Sequence, residues 1–174
     1  FIVASVISAG IFASVDTYAD DSSITLTVSS DTLSFDLLPN SASGVFAKSE
    51  DVNVGVVLSG VGGYTLSMRA SNGAHASDPK TLVNATYNDK VIPTLSSAVS
   101  ESDFSGSSTY NNMWGYKPSK LNSTDNTNYQ PAPSASGDIL DKTSGTNDEG
   151  NYTISFGARV DMDTAAGVYS NTFV

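Results

Sequence analysis

The residues of this sequence that could do chemistry are few and scattered. His75 is the sole histidine, and a Ser–His–Asp arrangement would need it, because the base must titrate near neutral pH. No Gly-x-Ser-x-Gly elbow accompanies it, so it reads as a loop residue in the polar stretch 71–78. Carboxylates occur in pairs at Glu50-Asp51, Asp148-Glu149 and Asp161 with Asp163. Two carboxyls held about 5–10 Å apart are the equipment of a glycosidase. These pairs, however, lie in turn-like segments, where carboxylates are solvated or cap their own backbone. Hard oxygen ligands on turns also suit Ca²⁺, which makes Asp161, Asp163 and Asp148 weak calcium candidates although no EF-hand loop surrounds them. Aromatic faces are platforms for sugar rings. Trp114, Tyr116 and Tyr129 stand in a polar background and are the candidate ligand-binding residues, with a plug at the end of a hydrophobic core as the other reading of Trp114. No residue is expected to be catalytic or to hold a cofactor.

Composition narrows the classes further. The 174 residues suit a single domain with a short appendage, and a core of that size needs no covalent staples. The absence of Cys excludes a disulfide scaffold, a thiolate metal site and a Cys nucleophile. Eight basic against 18 acidic residues give a net charge of −10, which speaks against nucleic acid and against anionic lipid surfaces. Only 15% of residues are charged, below the usual quarter or so. The polar surface must therefore come from Ser, Thr, Asn and Gly, residues of strands and turns. Such a chain suits the outside of a cell.

Residues 1–15 are an uncharged run of apolar and small residues, and Thr17-Tyr18-Ala19 precedes Asp20-Asp21. This pattern predicts an export signal over residues 1–19, with a helical apolar core and cleavage after Ala19. As a helix the run would span about 22 Å, short of the roughly 30 Å of a bilayer core. Two alternatives are a retained filament segment of the pilin kind and a plain core segment. Both ends of the sequence read as truncated.

Residues 20–174 are expected to form one β-sandwich domain. Ile24, Leu26 and Val28 alternate with Thr25 and Thr27, Leu33, Phe35 and Leu37 repeat the pattern, and Val52, Val54, Val56 and Leu58 form a third strand. Gly60 to Gly63 turn the chain into Tyr64, Leu66 and Met68. Weaker strands are expected at Leu82–Val83 and Val91–Leu95, the latter at an edge because of Pro93. Between Ser96 and Gly150 the pattern predicts short strands and long loops. Tyr152, Ile154, Phe156, Ala158 and Val160 alternate cleanly, a turn follows over 161–167, and a last strand runs from Val168. With no sustained helical period after the N-terminal run, the fold class is all-β, an antiparallel sandwich of immunoglobulin-like or fimbrial-like type. A barrel of similar strand count has the same periodicity.

The segments Gly63-Tyr64-Thr65-Leu66, Trp114-Gly115-Tyr116, Tyr129-x-Pro131-x-Pro133, Phe156-Gly157-Ala158-Arg159-Val160-Asp161 and Ala166-Gly167-Val168-Tyr169-Ser170-Asn171-Thr172 carry a resemblance. The chain resembles secreted cell-surface proteins of ultra-small, host-associated bacteria of the Saccharibacteria type. More distantly, it is similar to fimbrial-subunit, spore-coat-U-like and WxL sandwiches. The two Trp-x-Leu motifs of WxL modules are missing, since Gly115-Tyr116 follow the only Trp. The resemblance implies a bacterial, non-catalytic surface module for adhesion or structure, and transfers no catalytic residue. Its partners would be a cell-surface protein or glycan, or further copies joined through an edge strand. The other function in view is a carbohydrate-binding module built on the Trp114 loop region.

Overall fold

The structure is a computed structural model, and it describes residues 3–9, 12–14, 23–39, 42–60, 62–70, 79–133, 136–145 and 149–174. The chain begins with β1 (Val3–Ala9), β2 (Phe12–Ser14), β3 (Ser23–Val28), β4 (Thr32–Leu37) and β5 (Val45–Lys48). It continues with β6 (Val52–Ser59), β7 (Thr65–Met68), β8 (Leu82–Asn84) and β9 (Val91–Ile92). A short helix, α1 (Glu101–Gly106), precedes β10 (Met113–Pro118), β11 (Lys120–Leu121), β12 (Thr124–Asp125) and β13 (Asp138–Lys142). The two closing strands are β14 (Glu149–Val160) and β15 (Gly167–Phe173).

One sheet has the order β4-β1-β15-β8-β9 and a second the order β10-β14-β6-β3, with β5 also pairing β14. Smaller sheets are β13-β7-β2 and β11-β12. The molecule is mostly strand, sandwich-like and built of antiparallel pairings; among the named strands only β1 with β15 is parallel. One core joins the sheets: Val52, Val54, Val56 and Leu58 from β6 meet Leu66 and Met68 from β7, Leu82 from β8, and Tyr169 and Phe173 from β15. The alternation read in the sequence explains β6, where the four odd-spaced apolar residues are buried and Asn53, Val57 and Ser59 are exposed. β9 ends its sheet, as Pro93 leads one to expect.

The expected helical character of residues 1–19 is not what the structure shows where it describes them: Val3–Ala9 and Phe12–Ser14 are extended. Val3, Val6 and Ile7 are β-branched and stiff in a helix, and β4 and β15 together provide backbone partners along both sides of β1. The stretch 96–150 also holds more regular structure than its composition suggests, including β10, β13 and α1. The helix starts where Ser100 accepts from the Asp103 backbone N–H at 3.1 Å, a side-chain cap three residues ahead. Among the described residues, no helix is long and apolar enough to cross a membrane.

Candidate functional site

The first half of β14 alternates between buried and exposed residues, but from Ile154 to Val160 every residue is buried. Its inner face carries Ile154, Phe156, Ala158 and Val160 into the main core. The outer face is roofed by a second apolar cluster of Leu95, Val99, Phe104 and Tyr129, with Phe46, Tyr110 and Met113 packed against it. The aromatic rings meet edge to face, with centroids 5.1 Å apart for Phe46–Phe104 and 5.2 Å for Phe104–Tyr129. The roof can come this close because Gly115 and Gly157 are register partners across β10 and β14. A Cβ on Gly157 would lie 2.8 Å from the Tyr129 ring, and one on Gly115 would lie 2.6 Å from Leu95.

This architecture removes the predicted sugar platform. Trp114, Tyr116 and Tyr129 are all 0% exposed. Trp114 packs against Phe173 with centroids 5.6 Å apart, and its indole N–H donates to the Lys80 carbonyl at 2.9 Å. Tyr116 donates to Asp138 at 2.8 Å, and burial, reinforced by that carboxylate, pushes its phenol above the ordinary range. Tyr129 roofs β14; burial and the nearby Glu101 charge raise its phenol too, and its hydroxyl lies near Ser155 without a well-formed hydrogen bond. The three residues come from one region, yet Trp114 and Tyr116 face the main core while Tyr129 lies in the roof. None offers a ring face to a saccharide.

Asp161 is likewise engaged. Its carboxylate accepts from Asn111 Nδ2 at 3.0 Å, Asn112 Nδ2 at 2.8 Å and the Asp163 backbone N–H at 3.0 Å. Burial alone would raise its pKa, but these donors outweigh it and hold the carboxyl below the usual range. Hydrogen-bond donors, the opposite of a cation's requirement, therefore occupy the oxygens that calcium would need. Asp163 is exposed beside it, and Asp148 and His75 lie outside the described residues. Among the described residues, no three acidic, His or Cys side chains gather to hold a metal ion.

Two charged residues emerge that the sequence patterns do not single out. Arg159 is 5% exposed, and its Nε donates to Asn111 Oδ1 at 2.8 Å. Its two terminal nitrogens donate to the carbonyls of Ser105, Ser43 and Gly44. Asn111 thus links Arg159 to Asp161, and the trio ties the loop at 42–44, the end of α1 and the turn after β14 into one clasp. Asp141, 3% exposed, accepts from Tyr152 and, at 3.4 Å, from Tyr64, with Lys120 Nζ 3.7 Å away. Burial opposes its charge, yet the Tyr152 hydroxyl, Ser123, the Lys142 backbone and Lys120 together keep its pKa low.

The outward face of the β3-β6-β14 sheet carries a shallow cleft of about 390 Å³. Thr27, Asn53, Asn151 and Thr153 are among its lining residues, and the Thr27 hydroxyl covers Gly55, lying 2.6 Å from where a Cβ would stand. At the edge of the roof, Glu101 bridges Lys48, at 3.2 Å, and Lys117. The hydrogen bond from Lys117 is the main reason its carboxyl sits below the usual range. Comparison of the chain with known protein families, with curated proteins and with solved structures gives no match, so these side chains and their geometry are the basis for a functional reading.

Proposed function

We propose that this chain is an exported, extracellular structural or adhesive module of a bacterial cell surface, with an immunoglobulin-like or fimbrial-like sandwich that presents its loops and strand edges to partners. The observation that carries this reading is how its reactive residues are used. Trp114, Arg159 and Asp161 make bonds that tie loops to the strands, and Tyr116 and Asp141 make bonds between strands of different sheets. The outward β3-β6-β14 face carries hydroxyl and amide groups. A rigid scaffold under polar loops is the usual arrangement of a recognition domain. The absence of Cys and the charge of −10 fit a thiol-free life outside the cell.

Surface labelling tests the proposal directly. An epitope inserted at the exposed tip near Met162 should react with antibody on intact producing cells and disappear on brief protease treatment. Signal seen only after cell lysis would refute the extracellular reading. The alternative, a carbohydrate-binding module, is supported by the cleft at Thr27, Asn53 and Asn151 and not by the Trp114 region. It requires glycan binding that Asn151→Ala abolishes and Asp89→Ala does not.

A further inference from the structure

Tyr64, at the entry to β7, Asp141 in β13 and Tyr152 in β14 bring three oxygens to one point. The two phenol oxygens touch each other, and both also meet Asp141 Oδ2, Tyr64 at 3.4 Å. All three residues are buried, at 3–4% exposure. Hydrogen bonding alone needs only a chain of these groups, whereas a closed triangle of oxygens is also one face of a metal's coordination shell. Two backbone features make room for it. The β13–β7 ladder shifts register between Ile139 and Asp141, and this irregularity leaves Leu140 and Asp141, adjacent in sequence, both buried. Gly150 lies beside the phenol tips, and a Cβ there would run into both hydroxyl oxygens. Its φ is not positive, so what the position requires is space. Lys120, with 38% of its side chain exposed, is the charged group on the solvent side, 3.7 Å from the Asp141 carboxylate.

We propose that Tyr64, Asp141 and Tyr152 form a binding site for ferric iron, held by two phenolates and one carboxylate. This goes beyond the surface-module reading and does not rest on it. An all-oxygen set selects hard cations over the softer ions that prefer thiolate and imidazole. Calcium is served by carboxylates, carbonyls and water, but two of these three ligands are phenols, which stay protonated at neutral pH unless a strongly acidic cation displaces the proton. Charge matches as well, since two phenolates and a carboxylate together neutralise a trivalent ion. On binding, each phenol oxygen exchanges its bond to hydrogen for one to iron, and the two protons pass to solvent. The iron stays ferric, so no electron is transferred. Lys120 holds the carboxylate until the cation arrives, and its flexible stem then lets the ammonium swing into water. The contrast with Asp161 is chemical: its Asn and backbone donors cannot ionise, whereas the phenols around Asp141 become ligands when they do.

A phenolate bound to ferric iron gives a visible charge-transfer band, which a carboxylate complex lacks. Ferric nitrilotriacetate titrated into the full chain should raise this band until one iron is bound per chain, and excess chelator should remove it. No band in the wild-type chain would overturn the proposal. Tyr152→Phe and Tyr64→Phe should each weaken the band severalfold. Tyr87→Phe, which removes a phenol that is 57% exposed and far from the trio in sequence, should leave it unchanged. Emission from the buried Trp114 checks that each variant is folded, and whichever of the two trio variants folds carries the comparison. A band undiminished in a folded trio variant would mean adventitious iron on surface phenols only, and would overturn the site. Calcium in large excess should not displace the iron; displacement would overturn the ferric assignment. Surface labelling of cells reads a different property, so failure here leaves the surface-module reading standing.

Discussion

Gly115 and Gly157 face each other across the β10–β14 ladder, and the space on their shared outward side is filled by Leu95, Phe46 and the Tyr129 ring. The Trp114-Gly115-Tyr116 and Phe156-Gly157-Ala158 segments are therefore two halves of one device. Trp114 and Tyr116 point into the main core opposite Ala158 and Phe156. The glycines between them let the roof rest on bare backbone.

Gly157→Ala should lower stability by about 1–3 kcal/mol, the usual result of forcing extra volume into a filled site. The added methyl meets two aromatic rings that are themselves packed. Gly115→Ala should do at least as much, because its new Cβ would lie 2.7 Å from the Gln130 carbonyl oxygen, a backbone atom. Urea denaturation of both variants with unchanged m-values would measure this. Wild-type midpoints would mean the roof is loosely laid.

Arg159 should be replaceable neither by Met nor by Lys. Met removes the Asn111 bond and the donors to Ser43, Gly44 and Ser105 together, and a loss of about 2–3 kcal/mol follows from several charged hydrogen bonds going at once. Lys keeps the charge but lacks the planar fork that reaches carbonyls on two separate segments. Hydrogen exchange should show the loop at 42–44 and the helix α1 opening together in either variant, while β6 stays protected.

These elements also show how far the sequence could be read. Strands with one face to the core and one to solvent, such as β6 and the first half of β14, alternate visibly because the two environments differ. Where β14 is buried on both sides, the polar residues Ser155 and Arg159 still preserve the alternation, but the covering that buries them is tertiary and leaves no periodic trace. Strand β10 lies in a Ser/Asn-rich background and its pattern is broken by Gly115, so it reads as an aromatic island. Its partner, β14, is some forty positions away. Ser100 and Asp103 do carry a local signal for the start of α1, though a helix of one and a half turns shows no period. For the candidate site, aromatic and acidic residue types suggested ligands, and only packing distinguishes an exposed Trp from one whose indole N–H is bonded to Lys80.

Stability should fall toward both ends of the pH scale, for different groups. Asp141 and Asp161 have lowered pKa values in the folded chain. Their contribution is therefore complete above the unfolded carboxylate pKa, about 3.9, and is lost as pH drops through the lower folded values, because the unfolded chain binds the protons first. Tyr116 and Tyr152 have raised values, so their contribution is complete below about pH 10 and is lost as pH climbs above it. Urea midpoints measured across pH should show both limbs. Asp141→Asn should be less stable than wild type at pH 7 and approach it at low pH; a constant difference would place the acid limb elsewhere.

Trp114 is the only tryptophan and is wholly buried, so it should act as an internal reporter. Its emission should be blue-shifted, poorly quenched by acrylamide and unchanged by added oligosaccharides, and should move to the red only on unfolding. Trp114→Ala should cost about 3–5 kcal/mol, a large part of a typical domain's stability of roughly 5–15 kcal/mol. Ready quenching in the folded protein would make Trp114 a surface platform after all.

Asp161 separates a metal site from a clasp. If it held calcium, chelation would lower the melting temperature and added calcium would restore it, by mass action on the folded state. The geometry predicts neither. Two Asn amides and a backbone N–H already donate to the carboxylate, and the Asn112 side-chain Oδ1 in return accepts from the Asp161 backbone N–H at 3.1 Å and from the Thr164 hydroxyl. Asp161→Ala should therefore destabilise the chain by about 1 kcal/mol through the loss of hydrogen bonds between partly exposed groups, equally with and without calcium. Asp161→Asn should lose somewhat less, because its carbonyl oxygen can still accept from one amide. A calcium-dependent difference between wild type and Asp161→Ala would show that the amides turn away to admit an ion, and the clasp would then have to be read as a metal site closed in its empty state.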